Sequence, residues 1–387
     1  MEFPAQMSRG YAGRAAVSGS AFSRGWLKRR TKMKFVSVFV VALMFSPTTF
    51  ALSAQIVNAR QETRSAASGL ERLLQGILAS QTEPAWVGYT VPAVAGRSLM
   101  CCSDWGGSQR ECTSCRLEEK QEGVRSTTER RKSVKLEAPA EIVVLYRIAQ
   151  KQLEKIRVFS SDCELDFGGL PLVWLSEVKP ADSLRWLGSV ASDTALEGRR
   201  RADAAVMAIA HHQGSEADRL LEVLAAASRP LELRKQVAFW MGTVRGGTGY
   251  ESLRRLVRED TNEKFREHIV FALTQSQEPE AILTLIQTAR EDASARVRGQ
   301  AVFWLAQKAG RRAAEAIAAA IDQDPETQVK KKAVFALHQL PKDEGIPLLI
   351  QVARNNKNPI VRKEAMFWLG QSNDGRALAF FEEILSK

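Results

Sequence analysis

Cysteine is the residue type with the most direct chemical potential in this sequence of 387 residues. The five cysteines all precede the helical repeats described below, at Cys101, Cys102, Cys112, Cys115 and Cys163. Two closely spaced pairs of thiolates can hold Zn²⁺ in a tetrahedral site, whereas in an oxidising compartment thiols form disulfides. We predict structural disulfides, with zinc as the alternative, because the N-terminal segment predicts export. Redox catalysis at the Cys112 and Cys115 pair would need a thioredoxin-like βαβ setting, which the sequence does not show.

Histidine offers no candidate for catalysis or metal binding. The four histidines, His211, His212, His268 and His338, fall at unrelated positions of the repeat. A metal site needs several converging ligands, and neither a phosphate-binding glycine loop nor a nucleophile elbow occurs. We therefore expect no catalytic residues, no metal ligands in the repeats and no cofactor, which favours a binding protein over an enzyme.

The positive charge of the chain is concentrated at its N-terminus. The sequence has 55 Lys and Arg against 44 Asp and Glu, a net charge of +11. Residues 1–54 hold eight of these basic residues and one of the acids, so the remainder has a net charge of +4. A nucleic-acid-binding domain clusters its basic residues on the folded surface. We do not expect a nucleic-acid partner.

Residues 1–54 have the pattern of a leader with a signal peptide. A short positive region at Met33 precedes the apolar run 35–45, and small residues at 51–54 offer a cleavage site. Translation from Met33 or from Met1 is compatible with this pattern. The apolar run is shorter than the ~20 residues that span a bilayer, so we expect no permanent membrane span once the leader is cleaved. The predicted location is periplasmic or extracellular.

The strongest pattern in the sequence is a repeat of constant length. One phenylalanine recurs at the same interval without insertion or deletion, at Phe239, Phe271, Phe303, Phe335 and Phe367. A tryptophan follows every second phenylalanine, at Trp240, Trp304 and Trp368. Constant periods of roughly 20–50 residues are typical of repeat proteins in which each repeat is one structural unit.

Each repeat is predicted to be a pair of helices. Val297, Ala301 and Leu305 follow the spacing of one helix face, and residues 281–289 form a second amphipathic pattern before them. The turn between the two helices carries a residue suited to cap the incoming helix, at Asp260, Asp292, Asp324 and Asn356. One hairpin cannot bury its own apolar face, so hairpins must stack. We predict a mainly α fold, with an α-solenoid of about six hairpins and a lone terminal helix over residues 179–387.

The repeat resembles the HEAT-like repeat family, which includes armadillo-type and bilin-lyase-type helical repeats. The motif stands here as Asp292, Val297, Arg298, Ala301, Trp304, Leu305 and Ala306, and again as Asn356, Val361, Arg362, Ala365, Trp368, Leu369 and Gly370. The resemblance covers roughly half of the chain and implies a solenoid, a fold that serves many functions. Members with a di-iron site carry paired His-Glu motifs, which this sequence lacks. The resemblance implies a scaffold for a protein partner, and the alternative is a lyase-type factor that acts on a cofactor or modified residue.

The aromatic columns are the candidate binding residues. In the family that the repeat resembles, the second helices lie on the concave surface. One hypothesis is that the phenylalanines line a groove there, which receives a partner segment or the chain's own N-terminal region. The other hypothesis is that each ring packs against the next repeat and never meets solvent. The tryptophans alternate with Ala272 and Ala336, which favours core packing over a ligand cage.

A column of cations precedes the phenylalanines by five residues, at Arg234, Arg266, Arg298, Lys330 and Arg362. These side chains can bind an acidic partner, or they can pair with the acids of the turns. We predict the pairing, in the form of exposed ion pairs that contribute ~0–1 kcal/mol each.

The pattern changes between the leader and the solenoid. A helix is predicted within 55–83, followed by a small Cys-containing β unit over 84–178. Two of its strands are predicted at 141–148 and 153–160, joined by a polar turn. The charged stretch 117–135 is predicted to be mobile.

Overall fold

The computed structural model describes residues 55–96, 114–118, 140–193 and 198–386. These residues belong to one compact unit. The predicted leader, three of the cysteines and most of the stretch predicted to be mobile lie outside the described residues, namely 1–54, Cys101, Cys102, Cys112 and 119–135. In the described part of the chain, no helix combines the length and the apolar character that crossing a bilayer requires.

The N-terminal part of the described chain is a small β unit with one helix. Its strands are β1 Gln55–Val57, β2 Arg60–Ser65, β3 Ala85–Pro92, β4 Ser114–Arg116, β5 Glu141–Ala149, β6 Gln152–Ser160, β7 Glu164–Asp166 and β8 Pro171–Ser176, and its helix is α1 Leu70–Ser80. A five-stranded sheet has the order β2-β8-β3-β5-β6, and a three-stranded sheet has the order β1-β7-β4. Strands β3, β5 and β6 are antiparallel neighbours, whereas β8 runs parallel to both β2 and β3.

The two faces of the larger sheet are both buried, in different cores. Tyr89 and Tyr146 point into the core that the sheet shares with α1 and the first helices of the solenoid. Trp86 and Leu145 point into a second core, which is completed by Phe167 next to the smaller sheet. Strands β3 and β5 consist almost entirely of apolar residues, because both of their faces are covered. The β unit is therefore packed directly onto the solenoid.

The predicted helix over 55–83 is only partly present. Residues 60–65 form the exposed edge strand β2, which pairs in parallel with β8, a strand that follows much later in the chain. The helix starts after Gly69, whose φ of 121° lies in the region that favours glycine. The sequence Arg-Gln-Glu-Thr-Arg-Ser of β2 has no apolar period, so only the distant partner strand determines its conformation.

The rest of the described chain is the predicted solenoid. Its helices are α2 Pro180–Ala191, α3 Arg199–His211, α4 Ser215–Ala225, α5 Leu231–Val244, α6 Gly246–Glu259, α7 Glu263–Gln275, α8 Glu280–Glu291, α9 Ala295–Ala309, α10 Arg311–Gln323, α11 Thr327–Gln339, α12 Lys342–Asn355, α13 Pro359–Gly370 and α14 Gly375–Leu385. The described residues form six hairpins, α2–α3 to α12–α13, and α14 follows alone. We call α3, α5, α7, α9, α11 and α13 the second helices. The first helices are α2, α4, α6, α8, α10 and α12, and the lone helix α14 occupies the position of a further first helix. This confirms the predicted fold class.

A column of small residues lets the first helices approach the preceding second helices closely. It recurs once in each repeat and is buried, at Ala217, Gly249, Ala281, Ala313, Gly345 and Ala377. A Cβ atom added at Gly249 would lie 2.1 Å from the carbonyl oxygen of Met241, and one added at Gly345 would lie 2.2 Å from that of Leu337. Glycine is therefore required at these two crossings, where the backbones nearly touch. The sequence analysis missed this column, although its spacing is as regular as that of the phenylalanines.

The arginine column pairs with the acids of the turns, but the pairs are buried rather than exposed. Each arginine reaches the turn of the next hairpin, in the pairs Arg234–Asp260, Arg266–Asp292 and Arg298–Asp324. The Arg298 guanidinium binds both carboxylate oxygens of Asp324, at 2.7 and 3.0 Å, with side-chain exposures of 9% and 4%. We call these three pairs the ion-pair ladder. The prediction of exposed pairs was wrong, because the hairpins stack closely enough to exclude water from the turns.

The turn acids do not cap the second helices as predicted. An oxygen of Asp292 accepts the backbone N–H of Ser294 at 2.8 Å, and Asp260 does the same for Asn262 at 2.9 Å. The capping residues are Asn262 and Ser294 themselves, whose side chains accept N–H groups of the first helical turn. The acids thus shape the turn and hold the arginine of the preceding hairpin. The hydrogen bond to Asp292 raises the pKa of the Arg266 guanidinium above its ordinary value.

Candidate functional site

The predicted binding residues form one continuous row on the second helices, which we call the aromatic ladder. Its members occupy equivalent positions in α5, α7, α9, α11 and α13, and they are Phe239, Trp240, Phe271, Phe303, Trp304, Phe335, Phe367 and Trp368. All are partly exposed, and the Phe367 side chain is 55% exposed. The rings pack laterally, as one of the two hypotheses states, and each also keeps surface in contact with solvent. The stacking of five hairpins therefore places their aromatic side chains in one strip.

The doubled period of the tryptophans has a packing explanation. Phe303 and Phe335 stack almost in parallel, with centroids 6.2 Å apart and planes 3° apart, and Phe239 stacks on Phe271 in the same way. Between these two stacked pairs, the Trp304 ring fills the gap and contacts Phe271 and Phe303 at 5.1 Å each. Where alanine replaces tryptophan, the two phenylalanines meet directly. The alternation of large and small residues therefore keeps the ladder continuous.

A column of glutamines runs beside the aromatic ladder, one helical turn after each phenylalanine except Phe239, which Thr243 follows. It consists of Gln275, Gln307, Gln339 and Gln371, and the last three are exposed. Within the described part of the chain, the side-chain amides of these three form no hydrogen bond, whereas that of Gln275 donates to Thr274 at 2.9 Å. An amide offers two donors and one acceptor. The sequence analysis missed this glutamine column, which its regular spacing could have revealed.

The C-terminal half of the ladder is basic. Lys332 in α11 and Lys363 in α13 stand one turn before a ladder phenylalanine, and neither forms an ion pair with any described residue. The neighbouring Lys331 is paired with Glu364 at 3.1 Å, and Glu364 also accepts the indole N–H of Trp368 at 3.0 Å. The local acid is thus already engaged, which leaves two unpaired ammonium groups beside the rings.

Three histidines border the ladder, and the His211 ring meets Trp240 edge-on with centroids 5.4 Å apart. The His338 ring stacks on Trp368 with centroids 4.9 Å apart, and the His268 ring meets Phe271 edge-on at 5.8 Å. Burial lowers the pKa of His268 and of His338 below its ordinary value. Neutral imidazoles therefore extend the aromatic surface at neutral pH. Among the residues with described positions, no group of three His, Cys, Asp or Glu side chains is arranged to hold a metal ion.

A buried hydrogen-bond network joins the β unit to the first hairpin. The hydroxyl groups of Tyr146 and Tyr89 are 2.7 Å apart, Tyr89 is 2.7 Å from the Ser183 hydroxyl, and Ser183 is 2.9 Å from Nε2 of His212. His212 donates through Nδ1 to the carbonyl oxygen of Ala208 at 2.7 Å, so the neutral ring accepts at Nε2. Ser183 then donates to His212, Tyr89 to Ser183, and Tyr146 to Tyr89.

The pKa values in this network follow from its burial. Removal from water lowers the pKa of His212 to about 4 and raises that of Tyr89 to about 12. The Ser183 and His212 side chains are both fully buried, so this hydroxyl and imidazole pair does not meet solvent. Backbone bonds reinforce the junction, since the Val94 N–H donates to the carbonyl oxygen of His211 at 2.9 Å. The network is a structural connection that the sequence analysis did not find, because its members lie in distant segments.

Two of the five cysteines lie in the described part of the chain. Cys163 is fully buried just before β7, and Cys115 is partly buried in β4. Strands β4 and β7 are parallel neighbours, with Cys115 opposite Leu165. Cys115 therefore belongs to the small sheet, and Cys163 directly precedes its strand β7. The choice between disulfides and zinc stays a prediction, because the remaining three cysteines lie outside the described residues.

Comparison with known proteins identifies the repeat. Residues 217–306 and 313–387 match the family model of HEAT repeats. Human deoxyhypusine hydroxylase in complex with glycerol is similar over 53% of this chain and 90% of its own, with 16% identity and a TM-score of 0.29. The complex of CpcE and CpcF of phycocyanin lyase from Nostoc is similar over 51% of this chain and 77% of its own, with 17% identity and a TM-score of 0.28. No curated protein matches the sequence significantly. At such low scores and identities, neither likeness indicates what this chain binds.

Proposed function

We propose that this chain, whose solenoid is built of HEAT repeats, is an exported scaffold that binds a protein partner on its aromatic ladder. The observation that carries the proposal is the continuous, partly exposed row of eight aromatic side chains on five consecutive second helices. Contiguous exposed apolar surface marks interaction sites on soluble proteins. Aromatic residues also dominate the binding energy of protein interfaces.

The geometry of the solenoid favours an elongated partner segment. Stacked repeats present the same surface feature at regular intervals, so one strip of the scaffold can contact many residues of a partner. The strip is rigid, because the ion-pair ladder fixes each of three hairpins to the next and the rings contact one another. A rigid aromatic surface loses little conformational entropy on binding. Among the described first helices α2 to α12, the large apolar residues that are exposed stand singly, as Leu283 does in α8, so these helices offer no comparable strip.

Export is supported by the sequence of residues 1–54 and by the cysteines of the β unit. If it is correct, the mature protein begins near residues 51–54, and its N-terminal sequence can be read after purification from the periplasm or medium. Mass measurement of the alkylated protein before and after reduction should then show disulfides in the β unit. Retention of the leader, or five alkylated thiols without reduction and no bound zinc, would contradict this part of the proposal.

The scaffold proposal is tested by capture of a partner with ladder variants. Phe303→Ala and Phe335→Ala together remove one stacked pair, and we expect them to lower recovery of a crosslinked partner about tenfold or more, as loss of aromatic anchors does. The matched control is Leu283→Ala, because that side chain is 66% exposed on a first helix. Circular dichroism should show that each variant keeps its helix content.

Two outcomes would count against the scaffold. Recovery that the ladder variants leave unchanged, or that Leu283→Ala abolishes, would place the interface elsewhere. Purified protein that carries stoichiometric metal or a chromophore would instead favour a lyase-type factor acting on a cofactor or modified residue.

A further inference from the structure

From the rings of the ladder and the amides and charges beside them, we infer that its ligand is a proline-rich, acidic segment in the polyproline II conformation. The segment runs across the second helices, with its rings on the aromatic ladder and its carbonyl groups toward the glutamine column. This inference rests on the proposed scaffold function and specifies the chemistry of the partner.

The first argument is the continuous ring surface. Phe239 and Phe271 stack with centroids 6.2 Å apart, as do Phe303 and Phe335, and Trp304 fills the space between these two pairs with its centroid 5.1 Å from Phe271 and from Phe303. The strip therefore offers ring surface along several hairpins without a gap. A polyproline II helix is extended, with three residues per turn and a rise of about 9 Å in that turn, and its proline rings present a matching apolar side to such a strip.

The second argument is the chemistry beside the rings. Proline has no backbone N–H, so a proline-rich segment offers carbonyl oxygens and needs donors. The amides of Gln307, Gln339 and Gln371 can each donate two hydrogen bonds, and the protein's own described groups use none of them. Aromatic-lined surfaces bind polyproline II segments because the ligand is already ordered before binding. The alternation of ring surface and unused donors fits this kind of ligand.

The third argument is charge complementarity. Lys332 and Lys363 flank the C-terminal half of the ladder without ionic partners in the described chain, while Glu364 is already held by Lys331 and Trp368. The Lys332 side chain also lies across the face of α9, because a Cβ atom added at Gly299 would come within 2.7 Å of its Cδ. A ligand with acidic residues between its prolines would pair with these ammonium groups. The chain's own residues 1–54 do not fit, since they hold eight basic residues and one acid.

The inference is tested with labelled synthetic peptides and the full chain. The probe is a fluorescein-labelled peptide of repeated Pro-Pro-Glu triplets, and the comparison peptides of equal length replace the prolines by Gly-Ser or the glutamates by lysines. Fluorescence anisotropy should give a dissociation constant for the Pro-Pro-Glu peptide that is about tenfold lower than for either comparison peptide. Equal binding of the Gly-Ser-Glu peptide would overturn the polyproline II conformation, and equal binding of the lysine peptide would overturn the acidic character.

Variants of the protein locate the contact. Gln307→Ala with Gln339→Ala removes two unused amides without touching the core, and we expect about tenfold weaker binding of the Pro-Pro-Glu peptide. Lys332→Ala with Lys363→Ala should abolish the preference for glutamate over lysine. Gln351→Ala, which removes an exposed glutamine of the first helix α12, is the matched control and should change nothing.

The peptide experiment separates this inference from the scaffold proposal. If a partner captured through Phe303 and Phe335 is not displaced by an excess of the Pro-Pro-Glu peptide, the inference is wrong and the scaffold stands. If both the phenylalanine and the glutamine variants leave capture and peptide binding unchanged, both are wrong. Displacement of the partner by the peptide from the normal protein, lost in the glutamine variant, is the result that we expect.

Discussion

Lowering the pH from 7 to 5 is expected to weaken the fold through one buried side chain, His212. The ring is fully buried at the junction of the β unit and the first hairpin, and it accepts a hydrogen bond from Ser183 while Arg245 and His211 stand nearby. Protonation would remove that acceptor and place a second charge close to Arg245. Burial is the main reason why the folded-state pKa falls to about 4.

The sign and size of the effect follow from the two pKa values. In the unfolded chain the pKa of histidine is about 6.5, so between this value and about 4 the unfolded state binds more protons than the folded state. Stability due to neutral His212 is therefore complete above the unfolded value and declines as the pH falls toward the folded value. The free energy of unfolding should decrease by about 2 kcal/mol between pH 7 and pH 5 from this group.

Urea unfolding at both pH values, followed by circular dichroism, measures the difference directly. His212→Gln cannot take up a proton, so it should lose about 2 kcal/mol of the pH dependence although it is less stable at pH 7. His338→Gln is the matched control, because that ring is only half-buried beside Trp368 and should contribute less. A His212→Gln protein that retains the whole pH dependence of the normal chain would refute the reasoning.

Two further changes test the packing of the solenoid. Leu305→Ala should lower the free energy of unfolding by ~2–5 kcal/mol, because Leu305 is 1% exposed between hairpins, and a loss below ~0.5 kcal/mol in urea unfolding would mean that the position is not core. Asp292→Ala should cost ~3–5 kcal/mol because it leaves the Arg266 guanidinium without its carboxylate away from water. Glu222→Ala breaks the exposed pair with Arg255 and should lower the free energy of unfolding by less than ~1 kcal/mol. Equal losses from Asp292→Ala and Glu222→Ala would argue against burial of the ion-pair ladder.

The sequence predicts the solenoid well because its evidence is local and repeated. A constant period, with apolar residues such as Val297 and Leu305 on one helix face, determines both the helices and their stacking. The strands at 141–149 and 152–160 are predictable for a similar reason, since the first is a dense apolar run and the second follows it across a short polar turn. The helices, their stacking and these two strands were therefore found.

The small-residue and glutamine columns were missed although they are as regular in sequence as the phenylalanines, whereas the other missed features depend on distant or stacked partners. Strand β2 is polar and takes its conformation from β8, and the pair of Ser183 and His212 depends on the β unit packing onto the first hairpin. A column of identical residues shows that positions are equivalent but not how deeply they lie, so Arg298 and Asp324 were expected on the surface. For the candidate site, the aromatic and glutamine columns can both be identified from sequence, whereas the structure was required to show which of the amides are unused.

The ion-pair ladder does not run to the end of the array, and this gives the solenoid an uneven cooperativity. At the next step Lys330 replaces arginine and Asn356 replaces aspartate, and Lys330 donates to the carbonyl oxygen of Asp322 at 2.8 Å instead. In a linear array, each unit is held by the coupling to its nearest neighbour. The last hairpin and α14 should therefore fray first, and their amide hydrogens should exchange with solvent faster than those of α7 and α9. Thermal unfolding would then begin at the C-terminal end and proceed toward the β unit.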